Sequence, residues 1–346
     1  MTLRRLFDVD LPVIQAPMAG VQGSALAIAA SEGGGLGSLP CAMLAPDAIA
    51  QELDAITART RRPFGVNFFC HVPPTPDADR EREWRAALSP YYDEFGIDVG
   101  SIPTGPGRLP FSAHAAEVVE RFRPAVVSFH FGLPARELLD RVRSWGSKIV
   151  SSATTVEEAR WLEAHGVDAI IAQGVEAGGH RGMFLTDDVT TQLGTVALLP
   201  QVLRAVNVPV IAAGGIADAA TVAAMLSMGA SAVQVGTAFL LCPEATTSAV
   251  HRAALTGEHA SHTALTNLFT GRPARGIVNR IMRELGPISR LPPAFPLATS
   301  AIAPLRSRAE ARGSGDFSPL WSGQNASGCR NVAAARLIRQ LAGVEH

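Results

Sequence analysis

Two glycine-bearing segments and one glycine–histidine loop hold the residues whose types and spacing can do chemistry. Ile211-Ala212-Ala213-Gly214-Gly215-Ile216 and Gln234-Val235-Gly236-Thr237 each end an apolar run on glycine. Glycine at the carboxyl end of a buried strand leaves backbone N–H groups bare, and a following helix adds positive potential, so the pair suits a phosphate. The plainer alternative is that these glycines only shape tight turns. The third segment is Gln173-Gly174-Val175-Glu176-Ala177-Gly178-Gly179-His180-Arg181-Gly182. Its four glycines can lay backbone against a flat ligand while His180 reaches a substrate as acid or base. A surface histidine in a flexible turn is the alternative there. Glu176 and His180 stand four apart with no third ligand nearby, so no metal is expected.

These segments need strands to aim them. Short runs rich in Val, Ile and Ala recur, with helix-length segments between them, and few alternate polar with apolar, which is the pattern of parallel strands buried on both faces. The runs are Val13–Pro17, Gly35–Leu39, Phe64–Phe69, Ala125–Phe131, Lys148–Ala153, Ala169–Gly174, Val208–Gly215 and Ala232–Leu240. Pro46-Asp47, Thr154-Thr155 and Asp218 supply helix starts, and Gly166 and Gly229 supply left-handed helix exits into the next strand. Eight strand–helix units in about 250 residues predict an α/β fold, a (β/α)8 TIM barrel, whose chemistry lies at the carboxyl ends of the strands.

Two stretches break the repeat. His71–Pro110 is too long for an ordinary loop and carries Pro73, Pro74, Pro76, both tyrosines and a Gly-Pro-Gly turn at Gly105–Gly107. After the eighth strand, Glu244 to Arg312 exceeds one helix and predicts a smaller lid subdomain. The expected organisation is a barrel over 1–243, a lid or substrate subdomain over 244–312 and a return to the barrel over 313–346. In that tail, Ala334, Leu337, Ile338 and Leu341 fall at i, i+3, i+4 and i+7, one apolar stripe able to close the barrel.

Composition narrows the class. The 346 residues are 47% hydrophobic, which excludes global disorder. Lys+Arg 30 against Asp+Glu 31 leaves a net charge of −1, and the basic residues, all arginine except Lys148, form no dense run, so no nucleic-acid partner is expected. Cys41, Cys70, Cys242 and Cys329 match neither a zinc knuckle nor a disulfide framework, and a reduced cytoplasmic setting is the expectation. Asp8 and Asp10 interrupt any signal-peptide core. The charge-free stretch Ala219–Pro243 is punctuated by Ser227, Gly229, Ser231, Gln234, Gly236 and Thr237, so it reads as buried helix, turn and strand, with no membrane partner.

Taken together, several segments resemble the nitronate monooxygenase family, formerly 2-nitropropane dioxygenase. They are Pro12–Gly20, Phe64–Phe69, Ser128-Phe129-His130-Phe131-Gly132, the His180 loop, both glycine segments, Phe269–Gly276 and Gly313–Gln324. The resemblance runs almost end to end. It implies FMN across the top of the barrel, with Ala16, Pro17 and Met18 beside the isoalloxazine, Asn67 and Gln173 at its polar edge and Gly178 approaching through its backbone. Gly214, Gly215, Gln234, Val235, Gly236 and Thr237 would hold the ribityl phosphate. His180 matches the family's active-site histidine, and His130 a second histidine facing substrate. The implied reaction is oxidative denitrification of alkyl nitronates such as propionate 3-nitronate, with O2, to a carbonyl compound and nitrite, without a nicotinamide cofactor. His180 serves either as base or as anion anchor. The competing expectations are an FMN-dependent enoyl-acyl-carrier-protein reductase or NAD(P)H:quinone reductase, and a flavin-binding barrel without turnover. Oligomeric state is not readable.

Overall fold

Strands buried on both faces need helices outside them, and the computed structural model, which describes residues 6–102 and 107–345, meets that need with a (β/α)8 barrel. Its eight parallel strands are β1 (Val13–Gln15), β2 (Gly37–Pro40), β3 (Phe64–Phe69), β4 (Val126–His130), β5 (Lys148–Ala153), β6 (Ala169–Gln173), β8 (Val210–Ala213) and β9 (Ala232–Val235), with a two-residue strand β7 (Gly179–His180) between the sixth and seventh. They run in the order β1-β9-β8-β6-β5-β4-β3-β2. The ring closes where Gln15 N–H donates to the Leu36 carbonyl at 2.9 Å and Leu36 N–H to the Val13 carbonyl at 3.0 Å. Along β8, Val210 and Ala212 join the layer between strands and helices, whereas Ile211 and Ala213 join a second cluster with Ile14, Val126, Val150 and Ile171. Both faces are apolar, which is why the sequence shows runs instead of alternation.

The expected helix signals operate. Pro46 opens Pro46–Arg59 in its first turn, Thr155 caps Val156–Ala164, and Asp218 caps Ala219–Ser227 through a reciprocal bond pair with Thr221. Gly166 and Gly229 both take positive φ. Some strands are shorter than their apolar runs. β9 stops at Val235 because Gly236 turns the chain into a 3₁₀ helix over Thr237–Leu241, so the apolar run to Leu240 is half strand and half helix. β2 starts at Gly37, where a Cβ would lie 1.9 Å from the Ala27 carbonyl oxygen, so only glycine lets the helix Ser24–Glu32 lie on the strand.

The two irregular stretches build one second core. Within His71–Pro110 lies an unforeseen helix, Ala78–Phe95, capped by Asp77 and ended by Gly96 at φ +61°. Its charged first half and Pro90 hide the apolar stripe from a reading by period. Trp84, Leu88, Tyr92 and Phe95 pack with Ile281, Met282, Ile302, Leu305 and Phe317 from beyond β9. Trp84 Nε1–H donates to the Ala298 carbonyl at 3.3 Å and Tyr92 O–H to that of Ala301 at 2.7 Å, both on the helix Ala298–Ala311. Beside this core, β10 (Thr263–Thr266) and β11 (Ala274–Ile277) form an antiparallel sheet with β7, so the glycine–histidine loop is a strand of that sheet and no loose turn. Of the turn expected at Gly105–Gly107, positions 105 and 106 lie outside the described residues. No helix among the described residues is long and apolar enough to cross a membrane.

The tail stripe forms as expected. The helix Ala334–Leu341 buries Ala334, Leu337, Ile338 and Leu341 and packs on the helices Ser24–Glu32 and Ala219–Ser227. Ile338 fills the space left by two glycines, since a Cβ at Gly35 would sit 2.9 Å from its Cδ1 and one at Gly33 3.1 Å from its Cβ. Ile338→Ala should therefore destabilise the fold by about 2–5 kcal/mol in urea denaturation. A loss below about 1 kcal/mol would show that this helix lies outside the barrel's cooperative unit.

Candidate active site

A cavity opens at the carboxyl ends of the barrel strands. Ala16, Pro17 and Met18 line it just after β1, Asn67 from within β3, and His130 from the last position of β4. Gln173, the last residue of β6, lines it with Gly178 and His180, and Gly214, Gly215, Gln234, Gly236 and Thr237 complete the wall. Val235 is the exception. Its side chain is buried in the layer between strands and helices, and its carbonyl accepts from Ala16 N–H at 2.8 Å, so it orients the β1 exit and does not face the cavity.

The glycine segments leave backbone donors bare at the cavity wall. Gly214 and Gly215 take φ of +115° and +73°. Among the described residues, the N–H groups of Gly214, Gly215 and Gly236 donate to no acceptor in the chain. Thr237 Oγ1 accepts from Gly323 N–H at 2.9 Å, which leaves its hydroxyl proton to donate. A Cβ on Gly236 would meet only Ala16 Cβ at 3.5 Å and Met18 Sδ at 3.7 Å, ordinary contacts, so the protein itself leaves room there and the room is cavity. Gly178 is glycine for another reason: a Cβ would lie 2.6 Å from Gly323 N, so two backbones touch at that point.

The exit of β1 is held by residues that carry no motif signal. Gln15 is fully buried, accepts from Ser38 N–H at 3.0 Å and donates to Gln22 Oε1 at 2.7 Å. Gln22 Oε1 also accepts from Met18 N–H at 3.0 Å, and its Nε2–H donates to the Ser38 carbonyl at 2.8 Å. This pair fixes Ala16–Met18 against β2. Asn67 Nδ2–H donates to Ser128 Oγ at 2.9 Å, while its Oδ1 has no partner among the described residues. Gln173 is more committed. Its Nε2–H donates to the His180 carbonyl at 3.1 Å and its Oε1 accepts from Gly182 N–H at 2.8 Å, so only one amide proton is left for a ligand.

Arg181, which lies in the motif without a role assigned to it, locks the loop. It is completely buried, and its guanidinium donates to the carbonyls of Gln173 at 2.7 Å and Gly174 at 2.8 Å and to Gln192 Oε1 at 2.9 Å. Glu158, equally buried, accepts from Leu185 N–H at 3.2 Å and from Thr154 N–H at 2.7 Å. Glu176 is spent as well, because its carboxylate accepts from Thr195 N–H and Oγ1–H at 2.9 Å, at the start of the helix Thr195–Ala205. No group of three metal-competent side chains occurs among the described residues.

His180 sits on this frame in an aromatic box, 5.4 Å from Phe295, 5.6 Å from Trp321, 5.9 Å from Phe131 and 6.0 Å from Phe69 between ring centroids. Burial, then the positive charges of Arg108 and Arg272, hold its pKa well below the usual histidine range. Its Nε2 lies 2.9 Å from Thr270 Oγ1, which in turn donates to the Arg272 carbonyl at 3.3 Å. That chain makes Nε2 the protonated nitrogen and leaves Nδ1 with its lone pair and no protein partner. His130 is held at both ends. Nε2–H donates to the His180 carbonyl at 3.2 Å and Nδ1 accepts from Ser152 Oγ–H at 3.1 Å, while burial pushes its pKa down to about 4. The geometry therefore gives His130 a positioning task. Phe131, at φ +69°, and Gly132, at φ +88°, kink the chain after β4 and turn the Phe131 ring under the Arg272 guanidinium at 4.1 Å.

His251 also lines the cavity and is likewise pushed down to about 4 by burial. An unfolded histidine titrates near 6.5, so between about pH 6.5 and 4 the unfolded chain binds more protons and the fold loses stability as pH falls. The melting temperature should drop across that window as stability falls by up to about 1.4 kcal/mol per pH unit for each such histidine. His251→Gln should flatten the slope, and an unchanged slope would show that His251 is protonated in the folded protein.

The chain matches known proteins along nearly its whole length. The family model described as nitronate monooxygenase matches residues 1–343. A nitronate monooxygenase of Pseudomonas aeruginosa is 42% identical over 97% of both chains, and one of Paraburkholderia phytofirmans is 41% identical over 97% of this chain and 92% of that one. Among solved structures, nitroalkane oxidase from Streptomyces ansochromogenes superposes with a TM-score of 0.89 at 40% identity, covering 99% of this chain and 96% of that one. FabK from Thermotoga maritima gives 0.72 at 25% identity, covering 99% and 94%. On a match that spans nearly every residue, including the loops that build the cavity, the chain belongs to the nitronate monooxygenase family.

Proposed function

We propose that this chain holds FMN across the barrel mouth and oxidises alkyl nitronates with O2, releasing nitrite and leaving a carbonyl compound. The family is one of flavin-dependent oxidoreductases. The fit to FMN rests on three bare N–H donors at Gly214, Gly215 and Gly236, a free hydroxyl proton on Thr237, and the unpartnered Asn67 Oδ1, all on one cavity. Asn325 Nδ2–H donates to the Gly215 carbonyl at 3.1 Å and so braces the phosphate end from the carboxyl-terminal return. When bound, FMN supplies the electron acceptor that links nitronate oxidation to O2.

The observation that carries the reading is a neutral His180 in a positively charged cavity. Arg108 lines the wall with no acceptor for its guanidinium among the described residues, and the nearest carboxylate on the wall, Glu176, is tied to Thr195. Uncompensated positive charge in a dry site favours an anion, which a nitronate is and a nitroalkane is not. Burial first, and the neighbouring positive charge second, hold the His180 pKa well below the usual histidine range, so it serves as base and not as an imidazolium anchor. From a neutral nitroalkane, Nδ1 would take the α-proton while the C–H electron pair delocalises onto the nitro oxygens. His130 holds the His180 backbone and with it the ring.

Three measurements test this. Acid precipitation should release FMN, and release of FAD or of no flavin would overturn the cofactor. Gly236→Val should fold yet lose most of its flavin, because the added methyls enter the cavity; full occupancy would remove this loop from phosphate binding. His180→Asn should keep its flavin and lose roughly 10²–10⁴-fold in nitrite release from neutral nitroalkanes, with a smaller loss on pre-formed nitronates. Equal losses on both would return His180 to anion binding. NADH oxidation measured alongside separates a reductase.

A further inference from the structure

A second cavity, about 650 Å³, lies beside the first, within the range of small-molecule sites of roughly 300–1,000 Å³. Met43 and Arg108 line both, so the two meet at those side chains. One wall comes from the β2 exit and the first turn of the helix Pro46–Arg59, with Leu44, Ala45 and Ile49; the other comes from Leu297 and Ser300 at the start of Ala298–Ala311. Among the described residues that line it, Arg108 is the one that is charged, and the rest are mainly apolar. At the junction, Ala42 packs with Phe69, Phe131 and Phe295, three members of the box around His180.

We infer that the second cavity receives the apolar tail of the substrate, so that the two cavities form one bipartite site selecting straight-chain nitronates of several carbons. The inference rests on the reading above for the identity of the head group. Charge placement gives the direction. The anionic head belongs beside His180 and Arg108, where uncompensated positive charge lies, and the chain leaving it can pass Met43 into a space that offers carbon contacts and no second cation for an anionic far end. An apolar pocket of this kind strengthens binding with each methylene buried. The wall opposite the barrel is carried by the start of Ala298–Ala311, a helix whose Ala298, Ala301 and Ile302 pack into the second core, so the segments after β3 and β9 would set chain-length preference while the barrel sets the chemistry.

The test uses the protein as purified and straight-chain carboxylates from acetate to octanoate, whose planar anionic heads match a nitronate without turning over. Calorimetry should show Kd falling roughly threefold to fourfold per added methylene until the cavity is full. Ser300→Phe, which fills one wall, should flatten that series, and Ala45→Phe does the same from the opposite side if the first variant fails to fold. Equal affinity along the series in the unaltered protein, or a gain that survives both substitutions, would overturn the tail site. Nitrite release from nitronates is assayed separately. Its absence with the chain-length gain intact would overturn the nitronate reading and leave the tail site standing.

Discussion

The site depends on one buried cation. Arg181 has no carboxylate in contact and is fully enclosed, which for an unpaired charge is expensive. Its burial is sustained by acceptors: two consecutive carbonyls at the end of β6, the Gln192 amide oxygen and, more distantly, the fields of Glu176 and Glu158. Burial lowers its pKa to about 9, yet it stays charged at neutral pH. The bonds run from the loop back to the strand that launches it, so the chain between Gln173 and Arg181 is closed into a fixed arch. His180 stands at the crown of that arch, and Gln173 and His130 hold its carbonyl from beneath.

From that arch the electrostatics of the cavity follow. Arg181 is hydrogen-bonded to carbonyl oxygens, Glu158 to backbone N–H groups and Glu176 to a helix start, so the two carboxylates are already engaged by donors of the chain before a ligand enters the cavity. What reaches it is the positive side, from Arg108 and Arg272 over aromatic rings. That field favours an anionic ligand, and it adds to burial, the larger cause, in holding the His180 pKa down.

The second core explains how the catalytic loop meets the insertions. β7 pairs with β11, so His180 is part of a sheet whose other strands lie beyond the barrel, and Arg181 N–H donates to the Pro273 carbonyl at 2.9 Å. Arg275 on β11 reaches back, its Nε–H donating to the Val175 carbonyl at 2.8 Å. The barrel and the insertions thus share the loop and cannot place His180 independently.

The barrel was legible in the sequence because strands buried on both faces leave uninterrupted Val, Ile and Ala runs, and glycine at the end of β8 is demanded by positive φ. The tail helix was legible for a similar reason: a four-residue apolar stripe has no other use than burial. Tertiary structure decided the rest. Gln15, Gln22, Glu158 and Arg181 read as ordinary polar residues, since their partners lie at distances along the chain that no local period encodes. Gln173, placed at the cofactor's polar edge by the family resemblance, spends most of its hydrogen bonds on the loop, and Val235 faces the helices because side chains alternate along a strand. The helix Ala78–Phe95 looked like a polar insertion because its apolar stripe makes sense only against Ala298–Ala311, some two hundred residues away, and burial of that kind exists only once both segments have folded.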